Sequence, residues 1–181
     1  VDPSAQMLNP PEKLGAGFLF CNNREVLLLL RRSKHNDSTW GLPGGNADRG
    51  ETLEAVALRE AVEEMGGLPA GVGEGAVGEA YWTCRGKRSQ KHYTVFVKEL
   101  TDESRASFVP QLNEEHSDWR WIPAYEVGLA ACASQRELPL HPVVCRLFQM
   151  HPGVADRLGG PRATGAAAPC RSRLHGGRRR R

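Results

Sequence analysis

Residues 45–66 read GNADRGETLEAVALREAVEEMG, and this stretch is the most informative part of the chain. Apolar side chains recur through it at helical spacing: Ala55, Leu58, Ala61, Val62 and Met65. The spacing predicts a helix over residues 52–65 with that stripe buried. Thr52 suits the N-cap, and Gly66 suits the end of the helix.

Three glutamates of this helix, Glu60, Glu63 and Glu64, are spaced at i, i+3 and i+4 and therefore share one face. Like charges at this spacing destabilise a bare helix, so a bound divalent cation would explain them. Oxygen ligands without Cys or His favour Mg²⁺ or Mn²⁺. Arg59 and Glu51 lie beside them, and one guanidinium can bridge and fix several carboxylates. The alternative is a solvated acidic helix face.

The same residues give the chain a resemblance to a known family. Gly45, Glu51, Arg59, Glu60, Glu63, Glu64 and Gly66 match the Nudix box, G-x5-E-x7-R-E-U-x-E-E-x-G-U. Gly67 replaces the usual aliphatic residue at the last position, and no metal or catalytic position is lost. The chain resembles Nudix hydrolases over roughly residues 14–150, which implies an α+β fold: an α/β/α sandwich with a mixed central sheet.

The resemblance implies an enzyme that hydrolyses a nucleoside diphosphate linked to another group, with bound Mg²⁺ or Mn²⁺. Carried over by position, Glu60, Glu63 and Glu64 correspond to metal ligands, together with the backbone carbonyl of Gly44. A cation held in this way polarises a phosphoryl oxygen and lowers the pKa of bound water. The ion pair of Arg59 and Glu51 is expected to orient the carboxylates.

Two carboxylates compete for the role of catalytic base. Glu60 is one, because the resemblance allows it to act as a ligand or as a base. Many Nudix enzymes recruit another carboxylate from a loop outside the box, and here Glu115 is favoured over Glu114 because it lies six residues before Trp121. An acidic pair on the surface is the alternative.

The substrate is less well defined by the sequence. Basic residues of the loop 83–92, namely Arg85, Lys87 and Arg88, are candidates to bind phosphates, and Trp40 is a candidate to stack on a base. A solvated hairpin and a core tryptophan are the alternatives. We expect a nucleoside triphosphate, oxidised or not, or a dinucleotide. A diphosphoinositol polyphosphate, a nucleotide sugar and a non-enzymatic nucleotide-binding Nudix module stay open.

The 181 residues suit one domain, expected at 14–151, after a flexible lead-in at 1–13 and before a basic tail at 152–181 whose composition predicts disorder. The tail holds eight Arg and one Asp, whereas the rest has 16 Lys and Arg against 20 Asp and Glu. Nucleic acid is therefore expected to make at most weak, non-specific contact, through the tail. The five cysteines show no C-x-x-C spacing, which favours a reducing compartment. We expect the cytoplasm, with the nucleus open, and no membrane contact.

Overall fold

The computed structural model describes residues 13–32, 34–85, 90–133 and 137–158. Their strands are β1 (Lys13–Asn22), β2 (Glu25–Arg31), β3 (Trp40–Gly41), β4 (Gly44–Asn46), β5 (Glu79–Arg85), β6 (Lys91–Glu99) and β7 (His116–Pro123). Their helices are α1 (Leu53–Met65), α2 (Asp102–Ser107), α3 (Ala124–Cys132), α4 (Pro142–Met150) and α5 (Gly153–Arg157). Within these ranges no helix is long and apolar enough to cross a membrane.

The strands of the described residues form one mixed sheet in the order β3-β2-β1-β6-β5, with β4 paired to β1 and β7 to β2. β1 and β6 run parallel along their whole length, and the other pairs are antiparallel. The mixed sheet predicted from the sequence is therefore confirmed. The sequence predicts strands at residues 14–20, 26–30, 77–82, 92–100 and 119–122, and the observed bounds differ from these by three residues or fewer.

Side chains of a strand point alternately to opposite sides of the sheet, and here both sides are covered. Phe18 and Phe20 of β1 pack in a cluster with α1, whereas Leu19 packs in the cluster that contains α3 and α4. In β2 the residues 26–29 are all fully buried, as expected for a central strand covered on two sides. This gives the layered arrangement of helix, sheet and helix.

The helix predicted over residues 52–65 is confirmed as α1. The Thr52 hydroxyl caps it by accepting the Ala55 N–H at 3.2 Å, and Gly66 ends it at φ 72°, in the left-handed region. The predicted buried stripe was wrong in its orientation. Ala55 and Val62 are exposed, and the buried residues are Val56, Ala57, Ala61, Glu64 and Met65. The helix is rotated by about one residue, roughly 100°, which turns a glutamate inward.

The short elements β4, α2 and α5 were not predicted. α2 and α5 have six and five residues, and β4 has three, two of them glycines. Such elements carry too few residues to show a period. β4 matters most, because its pairing with β1 places Gly44 and Gly45 beside α1.

Candidate active site

Two glycines let the backbone of β4 come close to its neighbours. Gly44 has a φ of 152°, and a Cβ there would collide with backbone atoms of Ala16 and Gly17. A Cβ on Gly45 would fall on the carboxylate of Glu60. The glycine pair thus allows α1 to lie against β4 with its carboxylates beside the turn.

Glu64 is the buried carboxylate of the site, with 4% of its surface exposed. Its Oε2 accepts the backbone N–H of Gly44 at 2.8 Å. Burial, together with the negative charges of Glu60 and Glu115, raises the pKa of Glu64 to about 8, although the Gly44 hydrogen bond and the positive charge of Arg31 act against the shift. The fold therefore holds a carboxylate whose charge is poorly compensated.

Arg59 connects the other box carboxylates. Its Nε and Nη2 donate to the two oxygens of Glu51, each at 2.9 Å, and its Nη1 donates to Glu60 at 2.9 Å and to Glu63 at 3.4 Å. The Arg59 hydrogen bonds and the Asp48 N–H lower the pKa of Glu51 to about 2. The orienting pair expected from the sequence is present in the geometry.

Glu60 lies half-buried between this ion-pair network and the cleft. Burial raises its pKa, although the Arg59 hydrogen bond and charge oppose the rise, and Glu63 and Glu115 add to it. Glu63, in contrast, has 54% of its side chain exposed. The three glutamates predicted to share one helix face thus differ strongly in burial: Glu64 lies against Gly44, Glu60 lies against Gly45, and Glu63 is exposed.

Glu115, from the loop before β7, lines the same cleft as Glu60 and Glu64. Its Oε2 lies 3.4 Å from Nη2 of Arg31. Glu114 does not line this cleft and faces a neighbouring depression. The structure brings Glu115 rather than Glu114 to the acidic helix, and its catalytic role stays a prediction.

His116 was missed as a site residue, because a histidine next to an acidic pair carries no specific pattern. Asn113 Oδ1 accepts the Glu115 N–H at 3.0 Å and also lies 3.3 Å from Nδ1 of His116. That oxygen can only accept, so Nδ1 carries the proton and Nε2 of the neutral ring is an acceptor. Burial and the charge of Arg31 lower the pKa of His116 to about 4, which keeps the ring neutral.

This acceptor faces Glu64. Nε2 of His116 is buried, has no hydrogen-bond partner in the described part of the chain, and lies 3.9 Å from Oε1 of Glu64. Two buried acceptors that face each other favour a cation or a donor between or beside them. In the described ranges, no three His, Cys, Asp or Glu side chains group closely enough to hold a metal ion alone. The residues fit a Mg²⁺-type ion, which uses one or two carboxylates plus water and substrate oxygens.

The carboxylates open onto a cleft of about 730 Å³ that also carries basic side chains. The acidic wall residues are Glu60, Glu64 and Glu115, and the basic ones are Lys13, Arg31, Lys34 and Lys91. Of the basic four, none was among the predicted site residues, because they come from three separate segments that only the fold brings together. A cleft of this size and charge suits a ligand with several phosphates.

The predicted substrate-binding residues fare differently. Lys87 and Arg88 lie outside the described residues, and for Arg85 only the backbone, at the end of β5, is described. Trp40 is a correction: 6% of its surface is exposed, it packs in the core, and the Arg120 guanidinium lies 4.9 Å from its ring centroid. A nucleobase cannot stack on a ring covered in this way.

The domain consists of a mixed sheet between helices, and carboxylates of one helix lie at a charged cleft. Domains of this class are suited to binding cations and phosphates. The family model described as NUDIX domain matches residues 11–143. The chain therefore belongs to the NUDIX family, as the Nudix box indicated.

Individual relatives agree with this assignment. A Mycobacterium tuberculosis protein named "Putative 8-oxo-dGTP diphosphatase 3" is 34% identical over 122 residues, which are 65% of this chain and 49% of that protein. An RNA pyrophosphohydrolase of Pseudoalteromonas translucida is 26% identical over 126 residues, which are 61% of this chain and 70% of that protein. The chain thus spans about half the length of the mycobacterial relative.

Solved structures share the fold. A MutT protein from Methanosarcina mazei superposes with a TM-score of 0.55 at 21% identity, covering 83% of this chain and 96% of the other. An Ap4A hydrolase of C. elegans superposes with a TM-score of 0.52 at 21% identity, covering 78% and 98%. At this identity the likeness establishes the fold alone. The expected Nudix-type sandwich is thereby confirmed.

Proposed function

We propose that the chain hydrolyses a phosphoric anhydride bond of a nucleotide with a divalent cation, Mg²⁺ or Mn²⁺, bound at Glu60 and Glu64. One observation carries this proposal: the fold buries Glu64 and half-buries Glu60 at the edge of a cleft, and the pKa of both is raised. Carboxylates whose pKa is raised by burial, even though Arg59 and Arg31 act against the rise, are typical of a functional site. A hard cation supplies the missing charge.

For the substrate, we favour a nucleoside triphosphate, including oxidised forms, or a dinucleoside polyphosphate. The names of two relatives support this choice, since one is a putative 8-oxo-dGTP diphosphatase and the other an RNA pyrophosphohydrolase. Each of these names refers to a nucleotide with a phosphoric anhydride bond. The four basic residues of the cleft favour a substrate with a high negative charge.

The residues of the chain would divide the work as follows. When bound, the cation polarises a phosphoryl oxygen and offsets its charge. Glu64, fixed by the Gly44 N–H, holds the cation, and Arg59 keeps Glu60 in place. Glu60 or Glu115 accepts the proton of the attacking water. Such proton transfer works best when the pKa of the base lies near the working pH, and burial moves the pKa of Glu60 in that direction.

A substrate panel tests the activity. The purified chain is assayed with Mg²⁺ and with Mn²⁺ on 8-oxo-dGTP, dGTP, 5′-triphosphorylated RNA, Ap4A, ADP-ribose, UDP-glucose and a diphosphoinositol polyphosphate. Products are separated by chromatography. We expect turnover of triphosphates or of Ap4A that EDTA abolishes and that Glu64→Gln lowers by at least about a hundredfold, since loss of groups that merely support a metal site costs 10–100-fold. Nucleotide binding without turnover of any substrate would point instead to a binding module.

Three single variants separate the two candidate bases. If Glu115 is the base, Glu115→Gln lowers kcat by about 10²–10⁴-fold with little change in KM, and the loss from Glu60→Gln is largely one of Mg²⁺ affinity that excess Mg²⁺ relieves. If Glu60 is the base, Glu60→Gln lowers kcat at saturating Mg²⁺ and Glu115→Gln is mild. Glu114→Gln is the matched control, because Glu114 precedes Glu115 directly but does not line the cleft. Equal, small losses from Glu114→Gln and Glu115→Gln would remove the loop from the mechanism.

A further inference from the structure

Two lysines of the cleft lie side by side on neighbouring strands. Lys13 and Lys91 are paired in the register of parallel β1 and β6, at the first position of each strand, so their side chains leave the same face of the sheet. Lys91 is half-buried and Lys13 is exposed. Like charges at adjacent positions of a sheet repel each other and weaken it. The pairing is therefore unfavourable unless an anion offsets it.

No carboxylate of the described residues compensates this pair. The ion pairs formed there leave out both lysines, although the carboxylates of Glu60, Glu64 and Glu115 line the same cleft. Lys98, near the end of β6, shows the contrast, because its Nζ donates to the Ala76 carbonyl at 2.8 Å and it does not line the cleft. Among the described residues neither Lys13 nor Lys91 has a carboxylate partner, which leaves their ammonium groups to a ligand.

We propose that Lys13 and Lys91 bind the phosphate groups of the substrate that lie beyond the linkage held at the carboxylates, so that the site prefers chains of three or more phosphates to diphosphates. This inference rests on the proposed function and assigns two residues to its substrate preference. It favours nucleoside triphosphates and dinucleoside polyphosphates over nucleotide sugars and ADP-ribose, which contain two phosphates. Lys34, in the same cleft, adds to the positive charge.

Ammonium groups suit this task, since a compact charge on a flexible stem can follow a phosphate chain without fixed geometry. The carboxylates alone would repel a polyanion. Carboxylates for the cation and lysines for the remaining phosphates, lining one cleft, would resolve that conflict.

The test measures binding without turnover. Isothermal titration with excess Mg²⁺ compares two probes that cannot be hydrolysed, the bis-methylene analogue of tripolyphosphate and methylenediphosphonate. For the unmodified chain we expect the three-phosphate probe to bind at least about tenfold more tightly. The double variant Lys13→Ala/Lys91→Ala should lose most of this ratio, while its affinity for the two-phosphate probe changes by less than about twofold.

Two control variants sharpen the result. Lys98→Ala removes a lysine of the same strand outside the cleft and should leave the ratio unchanged. Lys91→Arg keeps the charge and should retain most of the preference. Thermal unfolding of each variant confirms that it is folded, which we expect because Lys13 is exposed and Lys91 only half-buried.

Distinct outcomes separate this inference from the proposed function. If the double variant keeps the ratio of the two affinities, either because both are unchanged or because both fall equally, the lysine subsite is refuted even if the protein turns over nucleotides. A lysine-dependent preference in a protein that hydrolyses no nucleotide would support the subsite and would refute the hydrolase proposal alone.

Discussion

Glu64→Gln should stabilise the metal-free protein while it destroys the proposed activity. The side chain is buried, and its raised pKa means that the charged carboxylate is disfavoured in the folded state. The introduced amide can form hydrogen bonds with both polar neighbours of the side chain, the Gly44 N–H and His116. Its oxygen can accept the Gly44 N–H, and its NH₂ can donate toward Nε2 of His116, which now faces another acceptor at 3.9 Å.

The size of the effect follows from the pKa shift. A carboxyl whose folded pKa is raised from 4.5 to about 8 gives stability below pH 4.5, and this contribution is lost progressively as the pH rises to 8. Each unit corresponds to about 1.4 kcal/mol, so at pH 7 the loss in the free energy of unfolding is up to about 3 kcal/mol. For a chain of this size, that corresponds to roughly 5–10 °C in Tm.

His116 titrates with the opposite sign and must be separated from Glu64. Its pKa is lowered to about 4, so its contribution is present above its unfolded value near 6.5 and is lost as the pH falls toward 4. Between about pH 4.5 and 6.5 the two slopes oppose each other. The His116 slope lies below about pH 6.5, so the comparison of the unmodified chain with Glu64→Gln at pH 7.5 and 8.5 reports mainly on Glu64.

The assay is thermal unfolding in EDTA at pH 5.5, 6.5, 7.5 and 8.5. We expect the Tm of Glu64→Gln to exceed that of the unmodified chain by a margin that grows up to pH 8. Glu63→Gln is the matched control, since Glu63 is next in sequence but 54% of its side chain is exposed. Added Mg²⁺ should then raise the Tm of the unmodified chain more than that of Glu64→Gln, because a ligand stabilises the state that binds it.

Two results would contradict this reasoning. A Glu64→Gln protein that is less stable than the unmodified chain at pH 8.5 would show that the buried carboxylate is compensated. A difference in Tm that does not depend on pH would show that the effect is one of packing rather than of charge.

Three further changes test the site and its surroundings. Arg59→Lys cannot reproduce the two parallel hydrogen bonds to Glu51, so kcat should fall by about 10–100-fold while the Tm changes little, as kinetic and unfolding assays would show. Gly45→Ala places a Cβ on the Glu60 carboxylate, so we expect lower kcat and weaker Mg²⁺ binding by titration calorimetry. A chain ended at Leu158 should keep kcat and KM within about twofold, because the residues removed contain few apolar side chains to offset the entropy of ordering; a large fall in kcat would show that they reach the cleft.

The sequence predicted the acidic helix well because every signal in it agreed. Thr52, the apolar period and Gly66 all fixed the same boundaries. It failed on the rotation of that helix, because a period identifies a stripe but small residues such as Ala55 and Ala57 score alike. Packing determines the rotation of the helix, in which Ala57 and Glu64 are both buried. A buried glutamate runs against the usual pattern, and such exceptions concentrate at functional sites.

Contacts between residues far apart in the chain could not be predicted from the sequence either. Lys13 and Lys91 meet only because β1 and β6 pair in parallel, and His116 meets Glu64 only because β7 pairs with β2. A parallel pair requires a long crossover, so nothing local in the sequence announces it. Trp40 failed for a related reason, since its ring is as suitable for a core as for a base and the fold decided between them.

The position of Glu64 also suggests why the site is built on a glycine turn. A carboxylate that must bind a cation tightly has to be dry and fixed, yet a dry carboxylate is unstable while the cation is absent. The Gly44 N–H, delivered by a backbone that only glycine allows to come so close, supplies a partial positive charge that limits this instability. A single N–H leaves the pKa well above normal. The proposed cation would supply the remaining compensation in place of a proton, which would link cation binding to stability at this one side chain.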